Sequence, residues 1–109
     1  MNIDKALSGL LLLPPNLREG LLMHLLFGRK TGDFLQAVLK NNLKEAFARA
    51  DTTSTVFMKE IVHWCYEYLP SNAWGGERAY QEWIAQGGLV GMNLFTREEA
   101  LAYLEKVPE

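Results

Sequence analysis

From Leu17 to Phe27 the chain carries Leu17, Leu21, Leu22, Met23, Leu25, Leu26 and Phe27, with charged or polar side chains only at Arg18, Glu19 and His24. Wound as a helix, this segment is apolar on nearly every face, and such a helix in an aqueous protein has to be enclosed by other elements. The cover comes either from other helices of the same molecule or from a second copy of it. With so many apolar side chains to cover in a chain of 109 residues, a symmetric homodimer is the expected arrangement.

The elements around this rod are marked by their starts and stops. Pro14-Pro15 ends whatever precedes it. Three Asn or Thr residues are each followed three positions later by Glu, the spacing of a capping box. Asn16 with Glu19 opens the apolar helix, and Gly28 closes it. Asn42 with Glu45 opens a second helix, with Leu43, Ala46, Phe47 and Ala50 on one face. Thr96 with Glu99 opens the last, carrying Ala100, Leu101, Leu104 and Val107. Ile3, Leu7, Leu10 and Leu11 indicate a short amphipathic helix at the start. Phe34, Leu35, Val38 and Leu39 indicate another, which follows the turn at Thr31-Gly32-Asp33 and ends at Asn41.

Asp51 to Thr55 reads as a loop whose hydroxyls cap a helix from about Val56 to Leu69, ended by Pro70. A further helix spans Glu77 to Gln86 before Gly87-Gly88. Leu89 to Phe95 reads as an extended connector, because one strand without a partner is not stable in water. The alike openings at Asn16 and Asn42 follow from capping chemistry rather than from a repeat, since their flanking sequences differ. The expected fold is all-α, a compact single-domain bundle of about six or seven short helices around a central apolar helix, spanning residues 1–109.

One domain is what a chain of this length supports. Its single cysteine, Cys65, cannot form an internal disulfide. The run Leu10 to Leu13 is far short of the roughly 20 residues that span a bilayer. The start, with Asp4 beside Lys5 and no small-residue cleavage site, does not read as a signal peptide. A cytoplasmic location without membrane contact is expected. With 11 basic and 13 acidic residues the net charge is −2, which lacks the positive excess that duplex binding uses, so nucleic acid is the less favoured partner.

No catalytic constellation emerges from the residues. Zinc takes four ligands, and the soft donors are only His24, His63 and Cys65. His63 and Cys65, two apart on a helix, point about 160 degrees away from each other. That geometry also forbids a nucleophilic pair, and it puts Cys65 on the apolar stripe with Phe57, Ile61, Trp64 and Tyr68. His24 reads as a hydrogen-bonded core histidine. Glu98 and Glu99 lie in a first turn, where negative charge offsets the helix dipole. Gly75-Gly76 and Gly87-Gly88 lack the preceding strand and the Gly-Lys-Ser/Thr of a phosphate-binding loop. No enzymatic activity, no metal and no cofactor are expected. The basic turn Gly28-Arg29-Lys30-Thr31-Gly32 can hold one anion, although a solvated loop is the commoner role of such a segment.

Aromatic placement is more informative. With Phe57, Ile61, Trp64, Cys65 and Tyr68 on the inner face of their helix, Tyr66 falls almost opposite, flanked by Lys59, Val62 and His63, and should be exposed. Trp74 lies on the turn from Pro70 to Gly76, where a large aromatic either plugs the core, the commoner outcome, or meets a partner. Tyr66, Trp74, Lys59 and His63 are the candidate protein-binding residues.

A wider pattern runs through residues 13–86. It comprises Leu13-Pro14-Pro15-Asn16-Leu17-Arg18-Glu19-Gly20-Leu21, then Gly32-Asp33-Phe34-Leu35-Gln36-Ala37-Val38-Leu39-Lys40-Asn41-Asn42-Leu43, with Glu45-Ala46, Arg49-Ala50-Asp51, Ile61-Val62, Tyr66, Pro70 and Ala73-Trp74-Gly75. In this the chain resembles a family of small phage, prophage and plasmid proteins. Residues 87–109 stand as a C-terminal extension, and Ser71-Asn72 and Gly76 to Tyr80 depart from the family's form. The resemblance implies a mobile-element accessory protein and brings no catalytic activity with it. The expected function is non-enzymatic contact with a host or phage protein that inhibits or regulates a larger machine, anti-defence activity being one instance. The alternative is a nucleic-acid-binding regulator using the basic positions of the first half. Arg29, Lys30 and Lys44 are its candidate contacts, alongside Lys40 and Arg49.

Overall fold

The computed structural model describes residues 2–108, and every regular element among them is helical. The chain runs through α1 (Ile3–Gly9), a 3-10 turn (Leu10–Leu12), α2 (Pro15–Phe27), α3 (Asp33–Leu39), α4 (Leu43–Arg49), α5 (Thr52–Val56) and α6 (Met58–Tyr68). A second 3-10 turn (Ser71–Ala73), α7 (Glu77–Gln86), α8 (Gly88–Gly91) and α9 (Arg97–Glu105) complete it. The fold is all-α, with two short helices beyond those expected. α5 occupies the stretch expected to be loop. There Asp51 Oδ1 accepts the Ser54 N–H at 2.6 Å, which satisfies a first-turn donor and starts a helix of its own. The same hydrogen bond holds the Asp51 carboxyl below the ordinary carboxylate value. α8 takes up the first part of the expected extended connector. Gly87 and Gly88, at φ 88° and 66°, turn the chain so that the Gly91 and Met92 amides donate to the Gly87 and Gly88 carbonyls.

The three expected capping boxes have three different outcomes. At Thr96 both bonds form, Glu99 N–H to Oγ1 at 3.1 Å and Thr96 N–H to Glu99 Oε1 at 3.0 Å. At Asn42 only the first forms, at 3.2 Å, while the Glu45 carboxylate turns to Arg49. At Asn16 neither forms, because Pro15 takes the first helical position, where a missing N–H costs nothing, and α2 starts before the expected cap.

α2 is the central rod. Leu17, Leu21, Leu22, Leu25 and Leu26 are buried, together with Arg18 and His24, while Met23 and Phe27 keep some exposure. α8 and α9 pack along it, and Trp83 of α7 donates its indole N–H to the His24 carbonyl at 2.7 Å. The chain therefore covers this helix itself, and the ground for expecting a homodimer falls away. Residues beyond 86 join the same core through Leu89 and Ala100. The radius of gyration, 12.9 Å, equals the roughly 13 Å of a fully collapsed chain of this length, so no described element stands off from the rest.

Parts of two expected inner faces turn outward. Leu11, grouped with Ile3, Leu7 and Leu10, is exposed beside Leu12, because α1 gives way at Gly9 to a turn with three residues per turn and the apolar stripe loses its register. On α4 only Ala46 enters the core, against α3, and Leu43 and Phe47 face out.

Candidate functional site

α6 packs Ile61, Trp64 and Cys65 inward and presents Lys59, His63, Tyr66 and Glu67 outward. It stops at Leu69 before Pro70, and the Ser71–Ala73 turn folds the chain back beside it. Two anchors hold that turn. The Ala73 carbonyl lies 3.0 Å from His24 Nε2, and the Gly75 N–H donates to the Leu39 carbonyl at 2.8 Å. His24 Nδ1 lies 3.1 Å from the Arg29 carbonyl, so the imidazole stands between the turn and the loop after α2, and in its neutral form its one N–H donates to one of these two carbonyls. Its ring stacks on Tyr80 with centroids 5.1 Å apart, and the Tyr80 hydroxyl accepts the Thr31 N–H at 2.9 Å. His24 is fully buried, the hydrogen-bonded core histidine that the sequence suggests.

With the turn held in this way, Trp74 stands edge-on to Tyr66, ring centroids 5.4 Å apart. Tyr66 is 76% exposed, as expected. Trp74 packs half-buried against the rim of the core rather than plugging it. Val62, Leu69, Ser71 and Gly75 complete a groove of about 510 Å³ around the pair. Lys59 and His63 are not part of it. They line a second groove, also about 510 Å³, on the other flank of α6, where Gly9 and Leu12 face Trp64 and Tyr68. Tyr66 sits near the end of α6, where the Pro70 turn delivers Trp74, whereas the second groove runs along the helix from Lys59 to Tyr68 on the other flank. Leu12 and Glu60, which also line the second groove, had no signal in the sequence beyond the unbroken Leu10 to Leu13 run.

The basic positions of the first half are interleaved with acids. Lys40 Nζ pairs with Glu77 at 3.1 Å, and Arg49 pairs with Glu45 at 3.3 Å and Asp33 at 3.5 Å. Arg29, Lys30 and Lys44 are exposed, the first two on the loop that His24 and Tyr80 tie down.

Cys65 is fully buried, and burial pushes its thiol up to about 12. A thiol so placed is a poor nucleophile. A disulfide reagent at mildly alkaline pH should therefore titrate no thiol in the native chain and one after denaturation, the single cysteine of the sequence. A native chain reacting as fast as a free thiol would mean that α6 opens. Among the described residues no group of three or more His, Cys, Asp or Glu is arranged to hold a metal ion, and no helix is long and apolar enough to cross a membrane. Comparison with protein-family models, with curated proteins and with solved structures finds no match to the chain.

Proposed function

We propose that the chain is a non-enzymatic accessory protein of a mobile element, working by contact with another protein through the Tyr66–Trp74 groove. The observation that carries this reading is the pair itself, an exposed tyrosine edge-on to a tryptophan on a turn clamped by His24 and Leu39. Tyr and Trp are enriched among the residues that dominate protein interfaces, and side chains already held in place lose less entropy on binding. The resemblance of residues 13–86 to small phage, prophage and plasmid proteins favours inhibition or regulation of a host or phage machine. The nucleic-acid reading has weaker support, since Lys40 and Arg49 are engaged by carboxylates and the rest is left to Arg29, Lys30 and Lys44.

A photoreactive phenylalanine analogue placed at position 66, and in a second chain at position 30, separates the two readings in cells that naturally express the protein. Position 66 should yield a discrete, protease-sensitive adduct that disappears with Trp74→Ala, and position 30 should yield none. A nuclease-sensitive adduct at position 30, or an unchanged pattern from position 66 without Trp74, would overturn the proposal.

A further inference from the structure

We propose that the second groove, between the Leu10–Leu12 turn and α6, takes a guanidinium group on an apolar stem, as an arginine side chain of a peptide presents it. This goes beyond the function proposed above, which uses the opposite flank of α6. Leu12, Trp64 and Tyr68 wall the groove and Gly9 floors it. A Cβ at Gly9 would lie 2.9 Å from Tyr68 Cε2 and 3.1 Å from Trp64 Cδ1, so glycine lets both rings close on the backbone. Trp64 is fixed there by its indole N–H, which donates to the Ala6 carbonyl at 3.0 Å. Leu12 stays 66% exposed, an apolar wall that no described residue covers.

Glu60, Trp64 and Glu67 recur at i, i+4 and i+7 along this flank, about 10 Å from first to last, with the aromatic walls between the acids. The Oε2 atom of Glu60 is shut off from water, and among the described residues no donor reaches it. A carboxylate in a first helical turn ordinarily takes up free backbone donors. Here α5 runs almost directly into α6, and the Phe57 N–H is already given to the Thr53 carbonyl at 3.1 Å. A carboxylate oxygen buried without a donor is unfavourable, and because Glu60 keeps partial exposure in the groove wall, a turn of its side chain brings that oxygen out to a ligand carrying N–H groups and removes the penalty on binding. Arginine suits the site better than lysine. Its planar fork engages a carboxylate bidentately, its face stacks on an aromatic ring such as Tyr68, and its methylenes lie along an apolar wall such as Leu12. Lys59, on the rim, disfavours a second cation, so an isolated arginine rather than a basic run is the fit.

Titration of the 15N-labelled chain with N-acetyl-arginine methylamide, and with its uncharged citrulline counterpart, reads the site at the Trp64 indole and the Gly9 amide. The arginine compound should give saturable shifts, and the citrulline compound should bind at least about tenfold more weakly. Glu60→Gln should weaken the arginine compound by about tenfold as well, whereas Tyr66→Ala should leave its binding unchanged. That keeps a failure here distinct from a failure of the Tyr66–Trp74 reading. Glu60→Gln should also raise the thermal midpoint by roughly 4 °C, since it removes a charge from a site that does not satisfy it. Absence of saturable shifts, equal binding of the citrulline compound, undiminished binding by Glu60→Gln, or a lowered midpoint in that variant would each overturn the proposal.

Discussion

Gly88→Ala is expected to remove about 2 to 5 kcal/mol of stability, a large share of the roughly 5 to 15 kcal/mol that holds a typical domain folded. Gly88 sits at φ 66°, and a Cβ built there lies 2.5 Å from the Gly28 nitrogen and 2.8 Å from the Leu26 carbonyl oxygen. These are backbone atoms, which cannot rotate aside as a side chain can. Gly28 mirrors the situation at φ 64°, its Cβ position 2.7 Å from the Gly88 nitrogen. The end of α2 and the start of α8 thus touch main chain to main chain. Left-handed conformation costs an alanine about 1 to 2 kcal/mol, and the overlap adds about 1 to 3 kcal/mol. Gly20→Ala is the internal comparison, because it lies inside α2 where a Cβ makes only an ordinary contact, 3.5 Å from Leu35 Cδ1. It should gain about 0.5 to 1 kcal/mol from helix propensity. Urea midpoints that move in opposite directions for the two variants bear the argument out. A Gly88→Ala midpoint near that of the parent chain would mean that α2 and α8 do not meet through glycine.

The difference between these two glycines shows what the sequence could and could not express. Gly28 as a helix stop, the Thr96–Glu99 box, and the inner stripe of α6 with Cys65 among aromatics were all legible, because each depends on neighbours a few residues away. Gly87-Gly88 was legible only as a breaker. That it seeds α8 and presses α8 onto α2 is set by packing between segments about 60 residues apart. The same holds for the candidate surfaces. Tyr66 follows from helical periodicity alone, but its partnership with Trp74 depends on the bridge from His24 to the Ala73 carbonyl. Lys59 and His63 share the exposed side of α6 with Tyr66, as its periodicity predicts, but the groove they line is completed by Gly9 and Leu12, which a helical wheel of α6 does not include. Leu11 groups with Ile3, Leu7 and Leu10 in the sequence because a 3-10 turn cannot be told from one more helical turn by composition.

Arg18→Met should cost about 2 to 4 kcal/mol, and its effect should be localised. Arg18 is 7% exposed. Its Nε donates to the Leu13 carbonyl at 3.1 Å, Nη1 to Pro108 at 3.2 Å and Nη2 to Leu11 at 3.4 Å. The guanidinium is therefore satisfied by backbone oxygens, and it ties the end of α1's extension to the segment that follows α9. Methionine keeps much of the volume but leaves three carbonyls without this donor, at about 1 to 3 kcal/mol for each that stays buried. Relief from burying a cation offsets part of that loss. Lysine should not rescue it, because one ammonium cannot serve three divergent oxygens as the planar fork does. Hydrogen exchange distinguishes a pin from a mere packing residue. If Arg18 pins the C-terminal segment, α9 amides and the Leu13 amide lose protection in Arg18→Met while α6 and α7 keep theirs. Loss of protection spread evenly over all helices would instead make Arg18 a contributor to general stability, with α9 held by Ala100 and its apolar neighbours alone.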